Sequence, residues 1–321
     1  MTRQTTSLKT ELNTLVDELG TGQKSDLTQH LGARSTELLA LDRKLNLTDR
    51  LSSGNLQTLR MLESVQTSLS RIDDLRSNTS LEMLAISDTS SVAQIENASR
   101  AARSAFDGTI ATLNTRFGDQ SLFAGQFTDG ASLASSDIIF AELNTTIAGL
   151  TNAADVSSAI DNWFASGGGF DTVAYSGDPN GFVSRTISTG EDLSLDVRAD
   201  DQAFRDVLAA FAKAALATGP GTSLSTESAA DLQQISSTDL LSSTTGLTAL
   251  QARVGASEAR VESITARLGS ERTAMSIARN DLISADPFET ASRLEKLQLQ
   301  LETQFTLTAR LSRLSLTEYL R

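Results

Sequence analysis

The segment Gly20–Ser25 contains residue types that bind phosphate, namely two glycines followed by a lysine and a serine. A Walker A loop needs four residues between its glycines and a glycine directly before the lysine, and it follows a strand. Here a single residue separates Gly20 from Gly22, Gln23 precedes Lys24, and a predicted helix comes first. We therefore interpret the segment as the turn that ends a helix and not as a nucleotide site.

The segment Asp178–Gly181, with the sequence Asp-Pro-Asn-Gly, starts like a calcium-binding loop. Such a loop ends in an acidic residue at its twelfth position, where this chain has Thr189. Asp, Pro, Asn and Gly are also the residues that favour tight turns. The sequence therefore predicts a turn at this point.

Residues for other catalytic chemistry are scarce. The chain has no cysteine, and His30 is its single histidine. Thiolate metal sites and disulfides are therefore excluded, and the commonest general base is almost missing. We interpret the paired carboxylates at 73–74 and 200–201 as solvated or helix-capping groups. The sequence predicts no catalytic residue, no cofactor and no metal site.

The charge and hydropathy of the chain exclude two classes of partner. There are 27 Lys and Arg against 40 Asp and Glu, which gives a net charge of −13, and nucleic acid is therefore not an expected partner. The N-terminus has no apolar core of a signal peptide. No apolar run is long enough to cross a membrane, since the nearest, Val207–Ala217, contains Lys213. We expect a soluble protein without a cleaved signal and without a membrane partner.

Both ends of the chain show helical periodicity. Leu8, Leu12, Leu15 and Leu19 are spaced four, three and four residues apart, which is the pattern of a coiled-coil seam. A second helix is predicted from about Arg34 to about Ile86. Ser91 and Gln94 form a predicted capping box for a third helix. We expect that helix to continue to Gly118 and to bury a set of apolar residues: Val92, Ile95, Ala102, Phe106, Ile110, Leu113 and Phe117.

The longest seam lies near the C-terminus. Eleven positions from 247 to 282 alternate by three and four residues, and nine of them are apolar: Leu247, Leu250, Val254, Val261, Ile264, Leu268, Met275, Ala278 and Leu282. This predicts a coiled-coil helix. Asp286, Pro287 and Glu289 then have the types and positions of a helix cap, a first helical residue and a capping-box partner. They predict a separate terminal helix.

The middle of the chain has a different pattern. Leu193, Leu195 and Val197 alternate with polar residues, which indicates a half-buried strand that pairs with 182–188 across a turn near Gly190. The predicted fold is mainly α, with a long antiparallel coiled-coil shaft formed by the N- and C-terminal segments and a small α+β domain inserted between them. We divide the chain into a terminal helical domain (1–33 with 287–321), a helical shaft with a β-hairpin (34–140 with 216–286) and the inserted domain (141–215).

The terminal helices are the candidate surface for assembly. We expect the seam at 247–282 to hold the chain's own helices together. Short helices are marginal in water alone, so we expect the terminal seams to be completed by neighbouring subunits. The predicted subunit-interface residues are Leu8, Leu12, Leu15, Leu19, Leu294, Leu297, Leu301, Phe305, Leu311 and Leu314.

Several segments resemble the flagellin superfamily. The leucine seam running into Gly20–Lys24 is similar to the family's first helix and the turn that ends it. Ser121–Gly125 resembles the start of the hairpin in hook-associated members, and Tyr175–Asp178 resembles a turn found in them. The ending Ala309–Leu320, with Ser-Leu-Thr-Glu-Tyr-Leu as its last residues, is the most specific match. The resemblance covers both ends and much of the first half.

This resemblance implies a non-enzymatic structural subunit of the bacterial flagellum that joins the hook to the filament. The implied partners are hook-associated protein 1, flagellin, further copies of the chain in a tubular assembly, and a flagellar export chaperone. The implied location is extracellular, after export through the flagellar channel without signal cleavage. Two alternatives stay open, a flagellin that forms the filament itself and an acidic cytosolic enzyme with a coiled-coil scaffold.

Overall fold

The computed structural model describes residues 2–127, 129–219 and 221–319, with side chains for 3–127, 129–219 and 221–310. The chain forms two compact units, one built from residues up to 50 together with those from 267 onward, and one from residues 51–266. The three-part division expected from the sequence is a different partition, and it stays a prediction.

The first unit is helical. Its elements are α1 (Thr2–Thr21), α2 (Leu27–Leu31), a short 3-10 turn (Gly32–Arg34), the first part of α3 (Ser35–Leu84), the last part of α9 (Thr244–Ile283) and α10 (Pro287–Tyr319). The helix predicted from about Arg34 to about Ile86 is α3, and its observed bounds differ by one and two residues. The first helix ends at Thr21, between the two glycines predicted to stop it.

The second unit contains the remainder of α3 and α9 and two small antiparallel hairpins. Its other elements are α4 (Val92–Leu113), β1 (Arg116–Phe117), β2 (Gln120–Ser121), α5 (Ser136–Ile147), α6 (Ala153–Phe164), a π-helical turn (Phe170–Ala174), β3 (Val183–Ser188), β4 (Glu191–Leu195), α7 (Gln202–Leu216) and α8 (Thr226–Ser242). The prediction of a mainly α fold with a small α+β part is confirmed.

The helix α3 pairs with α9 in antiparallel fashion. In the first unit, Arg279 lies 2.7 Å from Asp42 and Arg272 lies 2.6 Å from Asp49. The residue number therefore rises by seven along α3 where it falls by seven along α9, as antiparallel helices require. In the second unit, Gln66 Nε2 donates to the carbonyl oxygen of residue 251 at 2.9 Å. These contacts confirm the predicted antiparallel pairing.

Burial along the long C-terminal seam is not uniform. Its members from Leu247 to Leu268 are buried, except for Ser257. Met275 and Leu282 are half-buried and Ala278 is exposed, so the seam of the predicted coiled coil is less deeply buried beyond Leu268. In this stretch, ion pairs from Arg272 to Asp49 and from Arg279 to Asp42 connect α9 to α3.

The helix α4 begins as predicted and ends earlier. Its capping box is present, with Ser91 and Gln94 bonded reciprocally. Asn114 caps the helix at its C-terminus and binds the backbone of Leu133 through both side-chain atoms, at 2.8 and 3.0 Å. The chain therefore leaves the helix before Phe117, which lies in β1, and Gly118 with φ of 59° makes the turn to β2. The predicted burial of Val92 is also wrong, since it is 52% exposed at the first helical position.

The predicted hairpin in the middle of the chain is confirmed, except that its second strand ends at Leu195 and does not reach Val197. β3 pairs with β4 from Val183 opposite Leu195 to Ser188 opposite Glu191, and Gly190 makes the turn with φ of 76°. The core of the second unit contains edge-to-face aromatic pairs between Phe106 and Phe140 and between Phe123 and Phe204. Such pairs bury large apolar area.

Candidate subunit interface

The first terminal helix ends at the glycine-rich segment. The amide of Gly22, with φ of 68°, donates to the Glu18 carbonyl at 2.9 Å and closes the last turn of α1. Such a positive φ favours glycine. The segment is therefore the helix-ending turn that was predicted.

That turn is hydrogen-bonded to the segment between α9 and α10. The Lys24 amide donates to the Ile283 carbonyl at 2.8 Å, and the Ala285 amide donates to the Gly22 carbonyl at 2.9 Å. Gln23 and Ser284 face each other as an antiparallel bridge. The breaks after α1 and before α10 are thus held together by backbone hydrogen bonds, and we call this contact the paired turn (22–25 with 283–285).

The second terminal helix starts at the predicted cap. Asp286 Oδ1 accepts hydrogen bonds from the amides of Phe288, at 2.8 Å, and Glu289, at 3.1 Å. Pro287 occupies the first helical position, where its missing N–H costs nothing. The Glu289 carboxylate lies 2.7 Å from Arg293, one turn further along α10.

The helices α1 and α10, together called the terminal pair, pack on each other. Three of the predicted interface residues are buried in this contact, with exposed fractions of 6% for Leu15, 7% for Leu297 and 8% for Leu301. Leu8, Leu12 and Leu294 are half-buried. The centre of the predicted seam is therefore covered within one chain, and its use between subunits stays a prediction.

The other predicted interface residues lie away from that contact. Leu19 is 42% exposed and Phe305 is 52% exposed. The side chains of Leu311 and Leu314 lie outside the described residues. Phe305 leaves the contact because the seam of α10 passes through Gln304, which is half-buried and accepts a hydrogen bond from Thr5.

Four exposed apolar residues of the terminal pair were missed by the sequence analysis, namely Val16 (47%), Phe288 (82%), Leu299 (64%) and Leu307 (53%). They do not follow the three-and-four spacing of the seam, so periodicity alone passes over them. Large apolar side chains off the seam of an otherwise polar helix are the signal that could have found them. With Leu19 and Phe305 they form the exposed apolar set.

A groove of about 470 Å³ lies between α1 and α10. Its apolar lining comes from Leu8 and Leu299, and its polar lining consists of uncharged groups: Gln4, Ser7, Gln300, Thr303 and Gln304. A neighbouring side chain entering this groove would desolvate no ionised group, which lowers the cost of association.

Asp178 and His30, which were considered as possible calcium-binding and catalytic residues, lie in a turn and on an exposed helix. Asp178 Oδ1 accepts from the Asn180 amide at 2.9 Å, which confirms the predicted turn. His30 is exposed in the short helix α2.

Within the described ranges, no group of three or more His, Asp or Glu side chains is arranged to hold a metal ion. No helix among the described residues is long and apolar enough to span a membrane.

The C-terminal quarter of the chain matches a known family. Residues 239–320 match the model described as the bacterial flagellin C-terminal helical region. Comparison with curated protein sequences gives no match.

Two solved structures are similar over most of the chain. A Vibrio parahaemolyticus chain assigned as a flagellar hook-associated protein is 13% identical with a TM-score of 0.52, over 78% of this chain and 97% of that chain. Bacillus cereus FlgL is 12% identical with a TM-score of 0.47, over 76% of this chain and 99% of its own. The first likeness establishes a shared fold.

Proposed function

We propose that this flagellin-superfamily chain, a structural protein of the bacterial flagellum, is the adaptor that joins the hook to the filament. Residues 239–320 carry the flagellin C-terminal helical region, so the predicted resemblance is confirmed. Flagellins and flagellar hook-associated proteins are structural, which confirms that the chain is not an enzyme. The adaptor role is our inference from the parts of the molecule described next.

The observation that carries the proposal is the exposed apolar set of the terminal pair. Six large apolar side chains on α1 and α10 are 42–82% exposed after the pair has closed its own seam. Burying such a side chain stabilises an assembly by about 1.5–3 kcal/mol. We infer that further copies of this chain cover the set in a tubular assembly, with Leu19 and Phe305 as its members from the predicted interface.

The choice of the hook–filament boundary rests on two supports. The Vibrio chain of shared fold is assigned as a flagellar hook-associated protein and is covered over 97% of its length. The ending Ser-Leu-Thr-Glu-Tyr-Leu also resembles that of hook-associated members. We infer hook-associated protein 1 as the partner on the hook side, flagellin as the partner on the filament side, and an export chaperone before assembly. The location would be extracellular, after export without signal cleavage.

One observation favours a second candidate function. The matching family model describes flagellins, so a subunit of the filament itself is the alternative. The two functions differ in what the cell does with flagellin when the chain is missing, because an adaptor is a platform for filament growth and a flagellin is the filament.

Deletion of the gene in its own flagellated host tests the proposal. We expect hooks without filaments and unassembled flagellin in the culture medium, with both defects reversed by a plasmid copy of the gene. Bare hooks together with loss of flagellin from cells and medium would favour the alternative. Normal filaments and motility in the deletion strain would contradict both functions.

A further inference from the structure

Glu18 is a charged side chain in an unusual position. It lies in the last turn of α1, and its side chain is 8% exposed, whereas its neighbours Asp17 and Leu19 are exposed. Burial of a carboxylate is costly. A negative charge at the C-terminal end of a helix is also disfavoured by the helix dipole. The sequence pattern gives no reason to bury this residue, since it is polar and adjoins the seam position.

Both carboxylate oxygens of Glu18 are bound by the paired turn. Oε2 lies 3.1 Å from Lys24 Nζ, and Oε1 accepts a hydrogen bond from the Ser25 amide at 3.0 Å. Burial by itself raises the pKa of the carboxyl. The Ser25 and Lys24 hydrogen bonds and the nearby charges of Lys24 and Arg293 outweigh burial, so the pKa of Glu18 lies below its ordinary value. The ionised form is thus the form that the fold stabilises.

The residues that bind Glu18 belong to the paired turn, which joins the segment after α1 to the segment before α10. Lys24 carries the side chain that binds Glu18, and its amide donates to the Ile283 carbonyl. A single carboxylate therefore links the end of α1 to a turn that is itself hydrogen-bonded to residues 283 and 285, between the end of α9 and the start of α10. Arg293, whose charge acts on Glu18, belongs to α10.

We propose that Glu18 is a positioning residue that fixes α1 against α10, so that the residues of the exposed apolar set are held in a fixed arrangement on the terminal pair. The use of that set in assembly rests on the proposed function. The fixing of α1 does not, and the two can be tested separately.

Glu18→Gln is the first test, because the amide side chain keeps the size and one acceptor but removes the charge. In the purified full-length chain we expect the amides of α1 to exchange hydrogen on the order of tenfold faster or more, since breaking a buried ion pair is costly. Asp17→Asn is the matched control, with the same change of charge on the adjacent exposed residue, and it should leave exchange unchanged. Equal exchange in Glu18→Gln and the unsubstituted chain would overturn the proposal.

The pH dependence separates this role from a general loss of packing. With a lowered pKa in the folded chain, the contribution of Glu18 is complete above the ordinary glutamate pKa of about 4.3 and is lost as the pH falls through the lower folded value. The charged groups that act on Glu18 are Lys24 and Arg293. After correction for intrinsic rates, protection of α1 should fall below pH 4.3 in the unsubstituted chain and in Asp17→Asn, but not in Glu18→Gln. Identical profiles in all three would contradict the proposal.

A double variant guards against misfolding as an explanation. Glu18→Gln with Lys24→Met removes both charges, so no unpaired buried charge remains, and we expect α1 to regain part of its protection. An additive loss would overturn the proposal. If exchange responds as expected while Glu18→Gln assembles normally in cells, the link to assembly is refuted and Glu18 remains a residue that fixes α1.

Discussion

Thr5 of α1 donates a hydrogen bond to Gln304 of α10, with 3.3 Å between Thr5 Oγ1 and Gln304 Oε1. Lys9, one turn along α1, has its Nζ 5.9 Å from the centre of the Phe305 ring. The seam of the terminal pair therefore continues through a polar contact where the leucine spacing would place Phe305. The outward position of that phenylalanine separates the residues that hold one chain together from those available to another.

Leu301→Asp should loosen the terminal pair of a single chain. Leu301 is 8% exposed, so the change removes about 1.5–3 kcal/mol of apolar burial and introduces a carboxylate without a partner. We expect faster hydrogen exchange in both α1 and α10. Leu299→Asp is the matched control two residues away, because Leu299 is 64% exposed. Slow exchange in the Leu301 variant would show that the contact between α1 and α10 does not stabilise the monomer.

Leu299→Asp and Phe305→Asp should have the opposite profile. Both side chains are more than half exposed, so the monomer should keep its melting curve and its exchange pattern. If copies of the chain cover these residues, the new carboxylates must be desolvated in the assembly, and cells should have hooks without filaments. A normal number of filaments in both variants would contradict a role of the exposed apolar set in the subunit interface. The exposed Glu302→Gln is a suitable control on the same helix.

The spacing of apolar residues predicted most of the helices correctly and predicted individual exposures less well. Leucine periodicity places the terminal helices, because a helix needs an apolar stripe to pack. It cannot distinguish Gln304 from Phe305 at the edge of the stripe, since adjacent residues differ by only about 100° around the helix. It also assigned Val92 and Phe117 to a core from which capping and an early helix end remove them.

Lys213 shows the same limit in the second unit. It interrupts the apolar run of α7, yet its side chain is 3% exposed and its Nζ lies 2.7 Å from the carboxylates of Asp161 on α6 and Asp239 on α8. The sequence shows the apolar face of α7 but does not show that Asp161 and Asp239, which are distant along the chain, pair with Lys213. Tertiary pairing of buried charge is decided by packing that local patterns do not encode.

Removing the two carboxylate partners of Lys213 should destabilise the folded chain more than removing the Lys213 charge itself. The double variant Asp161→Asn with Asp239→Asn leaves a buried ammonium without a counter-charge. We expect its free energy of unfolding to fall by about 3–5 kcal/mol. Lys213→Met should cost less, because Asp161 and Asp239 are 54% and 38% exposed and can be hydrated. Denaturant unfolding followed by circular dichroism measures both. Asp155→Asn with Asp231→Asn, exposed positions on the same two helices, is the control, and equal losses in all three variants would contradict the prediction.

Immunogold labelling of isolated flagella tests the adaptor role most directly. Antibodies against residues 141–215, a segment outside the terminal helices, would be applied to filaments still attached to hooks and examined by electron microscopy. Gold confined to the boundary between hook and filament is the expected result. Gold along the whole length of the filament would contradict the adaptor role and identify the chain as a flagellin.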